Sequence, residues 1–216
     1  REIVGAYRIG DAAEIIAAQG LQGLYTSSLF EFSAQTQTFL EQGLELGRSW
    51  VQPRYQTRHS LDYLWYGIGA YVKRHPHVRY LFGPASISRF YGNRAIAQMA
   101  HFYSLHYNKL EVGVRPRNPF ITKPEVQKDL TGEFGGVDLE QDGKALKDSL
   151  AEIGMPIPTL FKHYSQATEQ DGVVFTAFNV DPEFGDCVDA FVLADLQKLK
   201  AKKRQRYLGT EPRECD

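Results

Sequence analysis

The 216 residues are 43% hydrophobic and 24% charged, enough apolar material for one substantial core. With 25 Lys and Arg against 26 Asp and Glu, the formal net charge is -1, which excludes a polyelectrolyte that binds nucleic acid in bulk. The two cysteines, Cys187 and Cys215, form no CxxC, so neither a disulfide scaffold nor a cysteine zinc site is expected and a reducing compartment fits.

In chain order, "EIVGAYRI" reads as a strand, and "GDAAEIIAAQG" as a short helix or loop closed by Gly20. "LYTSSLFEFS" is irregular, and Ser33 is placed to cap a helix through about Gln42. "LELGRSWV" is the next strand, ended by Pro53. From His59 to about Lys73, the residues Leu61, Leu64, Trp65, Ile68 and Val72 fall at helical spacing and predict a core-facing stripe. Pro76 stops that helix. "VRYLFGPASIS" reads as a buried strand running into a Gly-Pro turn. A helix follows from about Tyr91 to His106, with Ile96, Met99 and Phe102/Tyr103 as its stripe. The prolines of "RPRNPF" require an extended segment. The acidic, Gly-rich "DLTGEFGGVDLEQDG" reads as a surface loop. Helices near Lys144–Ile153 and Pro158–Glu169 lead to "VVFTAFNV" and "CVDAFVLADL", paired strands around the turn "DPEFGD". The chain closes on "QKLKAKKRQR" and residues 196–216, a basic helix or tail. No apolar run reaches the roughly 18 to 20 residues that span a bilayer, and no signal-peptide pattern is visible. The alternation of strands and helices without a long linker predicts a single α/β (α+β) domain over 1–216, a mixed sheet covered by helices.

One strand carries an anomaly. Glu45 and Arg48 sit in the middle of a core-like run, and buried charge is costly unless paired or used. Residues i and i+3 of a regular strand face opposite sides. The two can meet only if the strand is irregular, and Gly47 between them is a candidate bulge. The alternatives are a structural ion pair or a reaction centre.

The successive motifs "ELGRSWVQPRYQ", "YLWYGIGAYV" and "YLFGPASIS" resemble those of bacterial long-chain N-acyltransferases with a GNAT-like fold. These are the ornithine- or amino-acid-lipid acyltransferases also called hemolysin-like, which are related to acyl-homoserine-lactone synthases. "GAYRI", "LYTSSLFEFS" and "FNVDPEFGDCVDAFVLADL" follow in the same order, so the likeness covers nearly the whole chain. It implies a central sheet with splayed strands, here Glu45–Val51 and Val78–Ile87. An acyl thioester on a phosphopantetheine arm would lie between them. Ser49, Trp50, Val51, Phe82, Gly83, Ser86 and Ser88 are the implied acyl-pantetheine contacts; for Ser86 and Ser88 a turn or capping role competes. Backbone N–H groups near Ser49–Val51 would polarise the thioester carbonyl. Glu45 is the implied general base for an amine that must lose a proton before it attacks. Arg48 would orient Glu45 or hold the acceptor's carboxylate.

Two departures from related folds follow. Acetyl-CoA enzymes carry a Gly-rich loop that cradles the pyrophosphate at a helix N-terminus, whereas "QPRYQTRHSLDY" has no glycine. That favours acyl carrier protein over CoA as donor, with Arg54 and Arg58 as candidate contacts to its acidic surface. Family members also place a strand and one or two helices before "REIVGAYRI", and these are expected to be lacking here.

Other signals are weaker. The six histidines show no HExxH or other closely spaced ligand set, so no metal is expected, and no cofactor is expected to stay bound. "LYTSSLF" and "FYSLHY" either line an acyl groove or belong to the core. Arg117 is a candidate carboxylate or phosphate contact. The basic tail is a candidate for peripheral contact with an anionic membrane, on an otherwise cytoplasmic protein. The resulting expectation is an N-acyltransferase that moves a long-chain acyl group from acyl carrier protein to the amine of an ornithine-like or glycine-like amino acid. A non-catalytic lipid-binding or membrane-associated module is the alternative. Signal synthesis is the third reading, but no S-adenosylmethionine pocket is visible.

Overall fold

The computed structural model describes residues 2–56, 60–108, 110 and 112–209. The first strand, β1 (Gly5–Asp11), leads into α1 (Ala12–Gln19), with the Asp11 carboxylate accepting from Ala13 N and Glu14 N as the cap. After β2 (Phe30–Phe32), Ser33 caps α2 (Ala34–Leu40) as expected, accepting from Thr36 N at 3.2 Å. Then come β3 (Gly43–Val51), α3 (Ser60–Arg74), β4 (Tyr80–Ile87) and α4 (Gly92–Tyr107). The short β5 (Val114–Pro116) precedes α5 (Pro124–Glu133), α6 (Leu139–Glu152) and α7 (Thr159–Ala167). The hairpin β6 (Val173–Asp181) and β7 (Cys187–Asp195) and the helix α8 (Ala201–Leu208) complete the fold.

The main sheet runs β1-β3-β4-β7-β6, and β2 pairs with β5 in a second, two-stranded sheet. All neighbours in the main sheet are antiparallel except β3 and β4. Strand alternation divides the core into two layers. Leu44, Leu81, Ala85, Val188, Ala190 and Val192 face the helices from α3 onward. Phe82, Phe191 and Leu193 face α1, α2 and the β2–β5 pair. Of the expected stripes, Trp65, Ile68 and Val72 on α3 and Ile96, Met99, Phe102 and Tyr103 on α4 are buried, while Leu61 and Leu64 are half-buried.

Two expectations change, and two open readings are decided. The acidic Gly-rich stretch is not a loop throughout: α5 runs to Glu133, and α6 starts at Leu139 behind an Asp138 cap. "FGPAS" makes no turn, because β4 continues through Gly83 and Pro84 in unbroken register with β7. Of the basic tail, residues 201–208 form a helix docked on α3, where a Cβ at Gly69 would lie 2.3 Å from the Tyr207 carbonyl oxygen. Arg206 there pairs with Asp62 at 2.6 Å. "FYSLHY" is core: Tyr103 packs on Phe161 and Phe175 at centroid distances of 4.8 and 4.6 Å.

Candidate active site

Strands β3 and β4 pair only from Gly43–Glu45 to Tyr80–Phe82. Beyond Phe82 each keeps its outer partner and the two separate. Two residues start the parting. A Cβ at Gly83 would fall 2.0 Å from the Leu46 carbonyl oxygen, so the strands touch there through glycine alone. Pro84 has no N–H to offer the vacated side, and strand interiors accept proline only where no ladder bond is needed. Past this point lies a cavity of about 560 Å³, whose wall includes Gly47, Arg48, Ser49, Pro84, Ser86 and Asp189.

The irregularity expected at Gly47 lies one residue later. Gly47 faces Arg8 and Trp50 faces Ala6, so Arg48 and Ser49 oppose Tyr7 alone. That is a β-bulge, and Arg48 adopts φ 52° within it. The bulge turns the Arg48 guanidinium over the Tyr25 ring, 5.2 Å from its centroid, with Arg8 at 5.3 Å from the same centroid. Burial and the nearby Asp181 push the Tyr25 phenol up, against the pull of Arg48.

Glu45 is 1% exposed, and its ion-pair partner is Arg8, not Arg48. Its Oε2 accepts from Arg8 Nη2 at 2.7 Å and from Tyr25 N at 3.2 Å. Its Oε1 accepts from Thr26 N at 2.8 Å and Thr26 Oγ1 at 2.9 Å. Both oxygens are therefore engaged by protein donors, and Glu45 is not on the cavity wall. The physical reason is register: Glu45 stands beside β1, and the turn after α1 folds its backbone N–H groups onto the carboxylate.

The opposite wall carries a second carboxylate. Asp189 on β7 is 2% exposed and accepts from Ser86 Oγ on β4 at 2.5 Å. Burial pushes its carboxyl up to about 6, with the Ser86 hydroxyl pulling it down and Asp181 adding to the rise. Asp181 comes to this wall through another bulge. Thr176 faces Phe191 and Asn179 faces Asp189, leaving an extra residue on β6, and Ala177 adopts φ 52°. Before the bulge Val173 and Phe175 face the large core; after it Phe178 and Val180 do, so Asn179 and Asp181 are switched to the cavity side.

The remaining expected contacts divide. Arg117 is on the wall, donating through Nε to Ser27 O at 2.8 Å and through Nη1 to Glu31 at 3.1 Å. Ser88 caps the turn after β4, accepting from Phe90 N at 3.3 Å. Phe82 is core, next to Phe191. Trp50 and Val51 continue β3 past the wall, Trp50 being 46% exposed. Arg54 lies over Tyr55 and pairs with Glu2, and Arg58 lies outside the described residues. "LYTSSLF" contributes Tyr25, Ser28 and Leu29 to the wall. Asp189, Arg8 and Tyr25 are not among the residues that the sequence marks. Among the described residues no group of three or more His, Cys, Asp or Glu could hold a metal ion, and no helix is long and apolar enough to cross a membrane.

Residues 1–66 match the family model described as an acetyltransferase (GNAT) domain. A glycine N(alpha)-acyltransferase of Bacteroides thetaiotaomicron is 32% identical over 97% of the chain and 64% of its own length. A glycine N(alpha)-acyltransferase of Phocaeicola vulgatus is 28% identical over 96% of the chain and 65% of its length. An L-ornithine N(alpha)-acyltransferase of Brucella abortus is 27% identical over 98% of the chain and 66% of its length. The chain thus spans slightly less than two thirds of each relative. No solved structure matches it.

Proposed function

We propose, from the match of residues 1–66 to an acetyltransferase (GNAT) domain and the similarity to bacterial amino-acid N(alpha)-acyltransferases, that the chain transfers a long-chain acyl group from a phosphopantetheine thioester to the α-amine of a glycine- or ornithine-like amino acid. The observation that carries the reading is the parting of β3 from β4 after Glu45 and Phe82, which opens the cavity. A thioester laid into the gap would meet backbone groups of the Arg48–Ser49 bulge, a source of donors for the developing oxyanion. Arg48 and Arg117 are the guanidinium groups on the wall, and either offers a two-pronged contact for the acceptor's carboxylate. Glu45 acts at one remove, holding Arg8 and the Tyr25–Thr26 backbone in place. The donor is acyl carrier protein rather than CoA, a choice supported by the glycine-free segment Gln52–Tyr63 where a pyrophosphate cradle would lie.

The test is mass spectrometry of reactions containing the purified protein, long-chain acyl carrier protein or acyl-CoA, and a pool of amino acids including glycine and ornithine. An N-acyl amino acid is expected, with acyl carrier protein preferred at equal donor concentration. A folded protein that binds acyl groups and yields no product with either donor would replace this reading with a lipid-binding one.

A further inference from the structure

We infer that Asp189, positioned by Ser86, receives the ammonium group of the acceptor amino acid and takes its proton before the amine attacks; this rests on the acyltransferase reading above. Asp189 is on the cavity wall, and Ser86 holds its Oδ1. Its Oδ2 has no hydrogen-bond donor among the described residues. A carboxylate with one oxygen fixed and the other turned to a cavity is oriented for an incoming N–H. Glu45 has no such oxygen, since each of its two already accepts two hydrogen bonds.

The surroundings favour a cation. Asp181, Glu183 and Asp189 line the cavity together with Arg48 and Arg117. An α-amino acid, with an ammonium and a carboxylate on one carbon, can be met by the carboxylates and guanidinium groups of one cavity. The groups facing Asp189 are Ser86 from β4, Asn179 and Asp181 from β6, and Cys187 on its own strand; Tyr25 lies within electrostatic reach. A carboxyl raised toward neutrality is a better proton acceptor at physiological pH than an ordinary one.

The protons balance. The ammonium gives one proton to Asp189 Oδ2, and the freed lone pair forms the N–C bond at the thioester carbonyl. Collapse of the tetrahedral intermediate breaks the C–S bond, and the second nitrogen proton ends on the departing thiolate. Asp189 releases its proton to solvent. Thioester and ammonium thus yield amide, thiol and one proton.

The test compares wild type, Asp189→Asn and Ser86→Ala in the acyl-transfer reaction, with glycine and with aminooxyacetate, whose less basic amine needs no deprotonation near neutral pH. Asp189→Asn is expected to lower kcat/KM for glycine by about a hundredfold or more, and that for aminooxyacetate much less. The wild-type acid limb of kcat/KM is expected near pH 6. Ser86→Ala should move it to higher pH, because the hydroxyl that favours the charged carboxylate is gone. Ser86→Ala keeps the carboxylate, so it decides the matter if Asp189→Asn fails to fold. Wild-type rates for glycine in Asp189→Asn, or an acid limb unmoved by Ser86→Ala, would overturn the assignment while leaving the acyltransferase reading intact. Absence of product from the folded wild type would remove both.

Discussion

Glu45 shows how far a single residue can be read from sequence. A carboxylate inside an apolar strand had to be paired or used, and it is paired. Its partners were not legible. Arg8, Tyr25 and Thr26 lie 37, 20 and 19 positions away, joined to it only by the β1–β3 register and the turn after α1. Glu45→Gln would set an amide N–H₂ against existing donors, so it is expected to cost about 2 kcal/mol, measured by urea denaturation. Asp189 carried the same warning. In "CVDAFVLAD" alternation sets it on the row of Phe191 and Leu193, a charge on an otherwise apolar face. That signal was present in a stretch read as a strand, but its partner Ser86 lies 103 positions away and only the β4–β7 register brings the two together.

At the scale of elements, strongly periodic helices and the hairpin β6–β7 were legible because apolar spacing alone specifies them. The pair α5 and α6 was not. Gly135 and Gly136 suggested a loop, yet Pro124 at the first helical position and Asp138 with Gln141 as cap and third residue were start signals. The glycines serve the junction itself. Their N–H groups donate to Asp142, at 3.1 Å from Gly135 and 2.8 Å from Gly136, and the buried His106 of α4 shares that carboxylate at 2.8 Å. Burial alone would raise the Asp142 carboxyl, but Gly136, His106 and Gly135 together hold it below the ordinary range. A depressed carboxyl adds stability above its unfolded pKa and loses it as pH falls through the folded one. Asp142→Asn is therefore expected to be less stable than wild type at pH 7, with the gap closing below about pH 4. Chemical denaturation at the two pH values checks this.

For the molecule as a whole, fold class followed from the alternation of elements, and the parting of β3 from β4 from a resemblance. What composition could not supply was where the two bulges fall, since each depends on a cross-strand register. The consequence is a sheet of two parts, β1–β3 and β4–β7–β6, joined by three residue pairs and the helices that cover them. Gly83 marks the joint. Gly83→Ala would drive a methyl group into the Leu46 carbonyl, with an expected cost of about 1–3 kcal/mol and a wider gap. Thermal unfolding and acyl-donor affinity, measured on the same variant, should change together.

That joint has a further consequence for solubility. Where two strands diverge, each presents an unsatisfied backbone flank in the middle of a sheet, and such flanks recruit strands from other molecules. Nature commonly blunts them with bulges, charge or proline. Here β3 carries a bulge with an exposed arginine at Arg48, and β4 carries Pro84. The residues that shape the cavity thus also guard against its being filled by the strand of a neighbouring chain.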